Sequence, residues 1–150
     1  MIETTTHYRT AIARAIGVLV VLEAVTFLLG ALLHLGVWIP LGFTVLAEPR
    51  IVDASIVEGL CGLFLAVSAY VVFTRRAWAW SAATAAHAFA VAGVLLGIGA
   101  LAAGLGPSTE LNYVYHRVIL VVLAAGLTLL LTPIGRAALR RGNRTLSPEI

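Results

Sequence analysis

The chain has 150 residues, of which 61% are hydrophobic and 11% are charged, and its mean hydropathy is +1.01. Soluble domains carry about 25% charged residues, and a soluble fold of this length cannot bury so much apolar surface. The composition therefore excludes an ordinary soluble domain and indicates a protein that lies in lipid. The net charge of +3 comes from arginines beside apolar segments, which is not the basic patch of a nucleic-acid-binding protein.

Four stretches are long and apolar enough to cross a bilayer, which takes about 20 residues. They cover residues 11–36, 54–73, 78–105 and 111–131. The breaks between them contain prolines, glycines or paired arginines, which end apolar helices. We therefore predict an all-α integral membrane protein that folds as one domain, a four-helix up-and-down bundle.

Two segments lie outside the predicted spans. Residues 37–53 are too short to cross the membrane, and their apolar side chains around Pro40 and Gly42 predict a loop or short helix in the outer membrane interface. Residues 134–150 are rich in arginine and predict a basic cytoplasmic tail.

The distribution of arginines predicts the orientation, because basic residues concentrate on the cytoplasmic side of membrane proteins. Only Arg50 and Arg117 fall on one side of the predicted bundle. The other side carries Arg9, Arg14, Arg75, Arg76, Arg136, Arg140, Arg141 and Arg144. We predict a multi-pass plasma-membrane protein with both termini in the cytoplasm. All ten basic residues are arginines, and alanine is abundant, which is typical of a GC-rich bacterial genome.

Ionisable residues within the spans are candidates for function, because each costs at least about 2.5 kcal/mol at the membrane centre. Counting about 1.5 Å per helical residue places Glu23 and His87 half-way across the bilayer. The same count places His34, Glu58 and His116 near the outer ends of their helices. Glu23 and His34 are separated by about three helical turns and share one face, which must point into the bundle.

The outer residues are compatible with several ligands. His34 and His116 can supply the two axial ligands of haem b, and together with Glu58 they can bind a transition metal such as zinc or copper. A quinone or lipid headgroup is a third candidate, because histidine and glutamate can exchange hydrogen bonds and protons with it. The triplet Tyr115-His116-Arg117 resembles haem-binding membrane bundles in which arginine follows histidine.

No motif establishes a reaction, so the chain can be read in three ways. In the first, it is a redox or cofactor-binding membrane protein that uses His34, Glu58 and His116, with Glu23 and His87 as a buried pair or proton path. In the second, it is a non-enzymatic accessory subunit of a larger membrane complex, or a lipid-binding module. In the third, it forms a homo-oligomer that conducts ions or protons.

Small residues on the third predicted helix indicate a helix contact. Ala86, Ala90, Gly93 and Gly97 recur at helical spacing, and small side chains let backbones approach closely within membranes.

Overall fold

The computed structural model describes residues 2–107 and 109–140, with side chains from residue 7 onward. In this part of the chain the elements are α1 (Ile2–His34), β1 (Ile39–Pro40), β2 (Val45–Leu46), α2 (Val52–Phe73), α3 (Ala79–Ala102), α4 (Glu110–Leu131) and α5 (Pro133–Leu139). The four long helices form an all-α up-and-down bundle. Each of them is long and apolar enough to cross a bilayer, so the chain is a multi-pass membrane protein.

The outer surface of the bundle is apolar on every long helix. Leu22, Leu63, Leu96 and Val121 are each more than half exposed, although they lie in the middle of their helices. A surface of this kind would be unstable in water and is normal against lipid chains. The interior carries both the apolar core and the polar side chains.

The helices pack mainly in sequence order. α1 makes its largest interface with α2, α2 continues onto α3, and α3 onto α4, whereas α1 and α4 make few contacts with each other. The largest fully buried side chains include Phe27 from α1, Leu65 from α2 and Leu123 from α4. The sparse contact between α1 and α4 leaves a groove on that side of the bundle.

The predicted contact along the small residues of α3 is confirmed. Ala86 and Ala90 are buried. A Cβ atom added at Gly93 would lie 2.9 Å from Cys61 Sγ on α2, and one added at Gly97 would lie 2.7 Å from His116 Nε2 on α4. Real Cβ atoms do not approach so closely, so these two positions lack room for a larger residue.

Helix ends lie close to the predicted ones, with one exception. Gly36 and Gly104 adopt positive φ angles of 91° and 70° just after the ends of α1 and α3, a conformation that favours glycine. The exception is the start of α1, which lies at Ile2 instead of residue 11.

The segment predicted as an interfacial loop or helix contains a short antiparallel hairpin, in which Ile39 pairs with Leu46. Glu48 lies two residues after the hairpin, and its carboxylate accepts a hydrogen bond from the Thr109 hydroxyl at 2.8 Å. The same hydroxyl accepts from Asn112 N at 3.0 Å and caps α4. The hairpin is therefore tied to the start of α4. We call this end of the bundle the hairpin end and the opposite one the arginine-rich end.

The first part of the predicted basic tail is a helix and not an extended tail. Residues 133–139 form α5, with Ala138 and Leu139 buried. The helix begins because Thr132 Oγ1 accepts from Gly135 N at 3.1 Å, and because proline suits the first helical turn. Residues 141–150 of the predicted tail lie outside the described part.

Candidate functional site

Three helices bring polar side chains together near the hairpin end. His34 is the last residue of α1, Glu58 lies in the second turn of α2, and Asn112, Tyr115 and His116 lie in the first two turns of α4. We call these five residues the hairpin-end site. Four of them are less than 9% exposed and Tyr115 is half-buried. The two histidines and Glu58, which the sequence placed at one depth, thus face the interior together.

Glu58 lies between the two histidines. Its Oε1 atom is 3.8 Å from His34 Nε2 and 4.0 Å from His116 Nε2, so the two ring nitrogens are closer than one helix diameter of roughly 10 Å. Both distances are too long for direct hydrogen bonds. They are short enough for one hydrogen-bonding group to contact the carboxylate and a ring nitrogen together.

The backbone contacts of the histidines set which ring nitrogen carries the proton. His116 Nδ1 lies 2.9 Å from the Asn112 carbonyl oxygen, and His34 Nδ1 lies 3.5 Å from the Pro49 carbonyl oxygen. A carbonyl can only accept, so Nδ1 donates in each ring and Nε2 of the neutral ring presents a lone pair. Both lone pairs are directed towards the region of Glu58, which makes the site rich in acceptors.

Several buried polar atoms of the site lack a hydrogen-bond partner among the described residues. They are both carboxylate oxygens of Glu58, Asn112 Oδ1 and the hydroxyl of Tyr115. Leaving a buried polar group unpaired costs about 1–3 kcal/mol, and native proteins have few such groups. Four unpaired atoms in one cluster therefore make the hairpin-end site the candidate binding site of the described part of the chain.

Two glycines make room for the site. A Cβ atom at Gly30 of α1 would overlap with Glu58 Oε2 and lie 3.3 Å from the Tyr115 hydroxyl oxygen. Gly97 of α3 leaves space for the ring of His116 in the same way. Because Gly30 and Gly97 have no side chains, there is room beside them for the large polar side chains of Glu58 and His116.

Two clefts reach the site from opposite sides. The first, about 170 Å³, lies between α1 and α4 and is lined by His34, Asn112 and Tyr115. Its walls include Leu29 and Leu111, which are both exposed on the lipid-facing surface. This cleft, which we call the α1/α4 cleft, opens towards the bilayer.

The second cleft, about 280 Å³, lies among α2, α3 and α4 and is lined by Glu58, Asn112 and His116. Asn112 lines both clefts. Pockets that enclose a whole drug-sized ligand measure roughly 300–1,000 Å³. Each cleft therefore suits a small polar headgroup better than a complete macrocycle.

The haem and metal hypotheses fit this geometry less well. Ligand atoms around a tetrahedral zinc ion are about 3.4 Å apart, given bonds near 2.1 Å, whereas Glu58 is 3.8 and 4.0 Å from the histidines. Within residues 2–107 and 109–140, no group of three His, Cys, Asp or Glu side chains is arranged to hold a metal ion. For haem, a carboxylate oxygen of Glu58 lies within 4.0 Å of both Nε2 atoms, and would crowd a macrocycle that both histidines bind.

A second polar feature lies deeper, where Glu23 of α1 meets His87 of α3. Glu23 Oε2 is 3.0 Å from His87 Nε2, and both side chains are 1% exposed. His87 Nδ1 lies 2.8 Å from the Ala83 carbonyl oxygen and donates to it. We call Glu23 and His87 the central pair. A Cβ atom at Gly126 of α4 would lie 2.9 Å from His87 Nε2, so this glycine makes room for the pair.

Glu23 Oε2 and His87 Nε2 lie within hydrogen-bonding distance of each other. Because Nδ1 of His87 donates to the Ala83 carbonyl oxygen, a hydrogen bond between the two side chains would need a proton on the Glu23 carboxyl or a second proton on the ring. Apart from this contact, neither oxygen of Glu23 has a hydrogen-bond partner among the described residues.

The central pair and the hairpin-end site are separate. Gly97 lies ten residues after His87 on α3, which corresponds to about 15 Å along the helix. Phe27, which is 1% exposed, lies between the two levels on α1, and its ring packs edge-on against Tyr115 with 6.5 Å between centroids. A proton path from one level to the other would have to cross this apolar layer.

Sequence reasoning missed several parts of the site. Tyr115 enters the sequence analysis only as the neighbour of His116. The helical spacing of Gly30 with Glu23 and His34 was the available signal for that glycine. Neither cleft has a signal in the sequence, because both depend on how far the helices are spread.

Comparisons with known proteins give no relative for this chain: no family model, no curated protein and no solved structure matches it.

Proposed function

We propose that the protein is a bacterial plasma-membrane protein that binds the headgroup of a lipid-soluble quinol at the hairpin-end site. The supporting observation is the cluster of unpaired buried polar atoms beside two clefts. Three of them are acceptor oxygens of Glu58 and Asn112, and the fourth is the Tyr115 hydroxyl, which can donate or accept. A quinol carries two hydroxyl donors on a small flat ring, and it dissolves in the same bilayer that surrounds the bundle. It supplies donors to the three acceptor oxygens.

The hydrogen bonds of the bound quinol follow from the acceptors. One hydroxyl would donate to Asn112 Oδ1 or His34 Nε2, which line the α1/α4 cleft. The other would reach past Asn112, which lines both clefts, to Glu58 or to the Nε2 atom of His116. The ring would enter through the α1/α4 cleft, and its isoprenoid chain would remain among the lipids beside Leu29 and Leu111. The oxidised quinone has only acceptors, so a site rich in acceptors should bind it less tightly.

The proposal concerns binding and positioning of the headgroup. Oxidation of a quinol releases two electrons and two protons, and a partner protein of a larger membrane complex would have to accept the electrons. The histidines and Glu58 could accept the protons. In this sense the accessory-subunit reading and the quinol site are compatible.

Binding can be tested by titrating the purified protein in detergent with decylubiquinol and with decylubiquinone. We expect the reduced form to bind more tightly. Glu58→Gln keeps the shape of the side chain but replaces one carboxyl oxygen by an amide nitrogen, which cannot accept a hydrogen bond. It should weaken quinol binding about tenfold, since a buried polar group left unpaired costs about 1–3 kcal/mol. Binding can be followed by calorimetry.

Glu23→Gln is the matched control, because it makes the same chemical change in the central pair, about 10 Å along α1 from Gly30, the glycine that adjoins Glu58. It should leave quinol affinity unchanged. Equal binding of quinol and quinone, or equal effects of the two substitutions, would contradict the proposal. A purely structural role in a membrane complex would then explain the polar residues better.

We also propose that the hairpin end faces away from the cytoplasm. Of the described arginines only Arg50 and Arg117 lie at that end, and Arg117 stacks on the Tyr113 ring at 3.2 Å. Reporter fusions at Glu48, Arg76, Gly106 and the C-terminus test the orientation. We expect activity of a cytoplasmic reporter at Arg76 and at the C-terminus, and an external signal at Glu48 and Gly106. An external C-terminus would disprove it.

A further inference from the structure

The arginine-rich end carries two guanidinium groups on one aromatic ring. Arg136 Cζ lies 4.6 Å and Arg140 Cζ lies 4.7 Å from the centre of the Trp80 ring. The two arginines are one helical turn apart around α5, and both are exposed. Because both guanidinium groups lie near one ring, positive charge is concentrated at one place on the surface. Like charges at this spacing repel each other.

Trp80 is held firmly in position. Its Nε1 atom donates to the Leu130 carbonyl oxygen at 2.9 Å, which links the start of α3 to the end of α4. This carbonyl belongs to the last turn of α4, where carbonyls lack a partner within the helix. The ring therefore has a fixed orientation, and the guanidinium groups stack on a stable support.

Acidic side chains do not balance this charge in the described part of the chain. Among the side chains described from residue 7 to residue 140, the carboxylates lie in the central pair or towards the hairpin end: Glu23, Glu48, Asp53, Glu58 and Glu110. The ion pairs among the described residues all join a histidine to a glutamate. Arg136 and Arg140 thus form two adjacent cations without a carboxylate partner in that part.

We propose that Trp80, Arg136 and Arg140 form a binding site for the phosphate group of an anionic membrane lipid. The guanidinium group forms paired hydrogen bonds with phosphate oxygens, and two of them can contact one phosphodiester. The site lies where α4 ends, at the level at which tryptophan rings and basic residues meet lipid headgroups. It is independent of the quinol site at the other end of the bundle.

The test is calorimetric titration of the purified full-length protein with dihexanoyl-phosphatidylglycerol below its critical micelle concentration. Dihexanoyl-phosphatidylcholine and inorganic phosphate are titrated in parallel. We expect the anionic lipid to bind more tightly than either. Replacing both arginines, as Arg136→Gln with Arg140→Gln, should weaken it roughly 30-fold, given the usual contribution of basic residues at an anionic membrane surface.

The control is Arg50→Gln with Arg117→Gln, which removes the same charge from the hairpin end, where Arg117 also stacks on an aromatic ring. This variant should bind the anionic lipid like the parent. Circular dichroism tests whether both variants keep their helices. The variant Arg136→Lys with Arg140→Lys is a milder change, which keeps the charge but not the paired hydrogen-bond geometry of the guanidinium group. This lysine variant should bind with intermediate affinity.

Three results would overturn the proposal. Unchanged affinity in the Arg136 and Arg140 glutamine variant would exclude these residues as ligands. Equal losses in the two glutamine variants would show a general effect of net charge. Inorganic phosphate that binds as tightly as the anionic lipid would indicate a site for a soluble anion instead of a lipid.

Discussion

Glu23→Leu is expected to lower the free energy of unfolding by about 3–5 kcal/mol, the usual effect of removing one member of a buried ionic pair. The substitution would leave His87 Nε2 buried without its contact at 3.0 Å. His87→Leu should have a similar effect, because Glu23 would then stay in the core with no partner among the described residues. Unfolding can be measured by titrating a mixed-micelle solution with a denaturing detergent.

The double variant, Glu23→Leu with His87→Leu, should recover most of this loss. Replacing both members of a buried pair by apolar residues is often neutral or stabilising. A matched control is Glu110→Leu, at an exposed glutamate in the first turn of α4, where we expect a change within about 1 kcal/mol. If the double variant loses as much free energy of unfolding as the two single variants together, the losses come from packing around Gly126 and not from the contact between Glu23 and His87.

The sequence was sufficient for the four helices because the length and hydropathy of membrane spans are strongly constrained. Their ends were predicted to within about three residues where glycine or proline breaks the helix. The start of α1 at Ile2 was not predicted, since hydropathy cannot distinguish a helix that continues beyond the bilayer from one that stops at its surface. Residues 2–10 contain no residue that would end a helix.

The sequence contains a helix-start pattern for α5, although the arginine-rich composition of the segment indicates a charged tail. Arginines made residues 134–150 look like a charged tail, but Thr132 and Pro133 form a typical helix start. Gly135 completes it, because a Cβ atom there would overlap with the Leu129 carbonyl oxygen. Only glycine therefore allows α5 to turn back directly against the end of α4.

The depth of the site's side chains in the membrane could be predicted from the sequence, and the directions in which they point could be predicted only in part. Counting residues from the helix ends placed His34, Glu58 and His116 at one level, because the rise of a helix is constant. Their mutual distances depend on helix rotation and spread, which hydropathy does not determine. In a regular four-helix bundle α1 and α4 would be direct neighbours, but here they make few contacts. Glu58 on α2 lies within 4.0 Å of both histidines.

Gly97→Leu should destabilise the bundle by about 3 kcal/mol or more, at the upper end of the usual effect of overpacking. The first added carbon would already lie 2.7 Å from His116 Nε2. The imidazole ring cannot simply move aside, because its Nδ1 atom is bonded to the Asn112 carbonyl oxygen at 2.9 Å. Either α3 moves away from α4 or the ring leaves the hairpin-end site.

Gly99→Leu is the matched control two residues further along α3. Nothing lies within 4 Å of a Cβ atom at Gly99, and the position is exposed. Both substitutions gain the same helix propensity, about 0.8–1.0 kcal/mol for replacing glycine by a good helix former, so their difference isolates packing. We expect Gly99→Leu to melt at or slightly above the temperature of the parent in detergent.

The smaller substitution Gly97→Ala adds only the first carbon, which would already lie 2.7 Å from His116 Nε2. The ring must shift to admit it, so quinol affinity should fall, and the melting temperature should fall less than in Gly97→Leu. If Gly97→Leu melts like Gly99→Leu, then α3 tolerates bulk at this contact, and the ring of His116 is not confined as the structure indicates. If Gly97→Ala keeps full quinol affinity, the headgroup does not depend on the position of His116, and its hydrogen bonds must come from Glu58, Asn112 and His34.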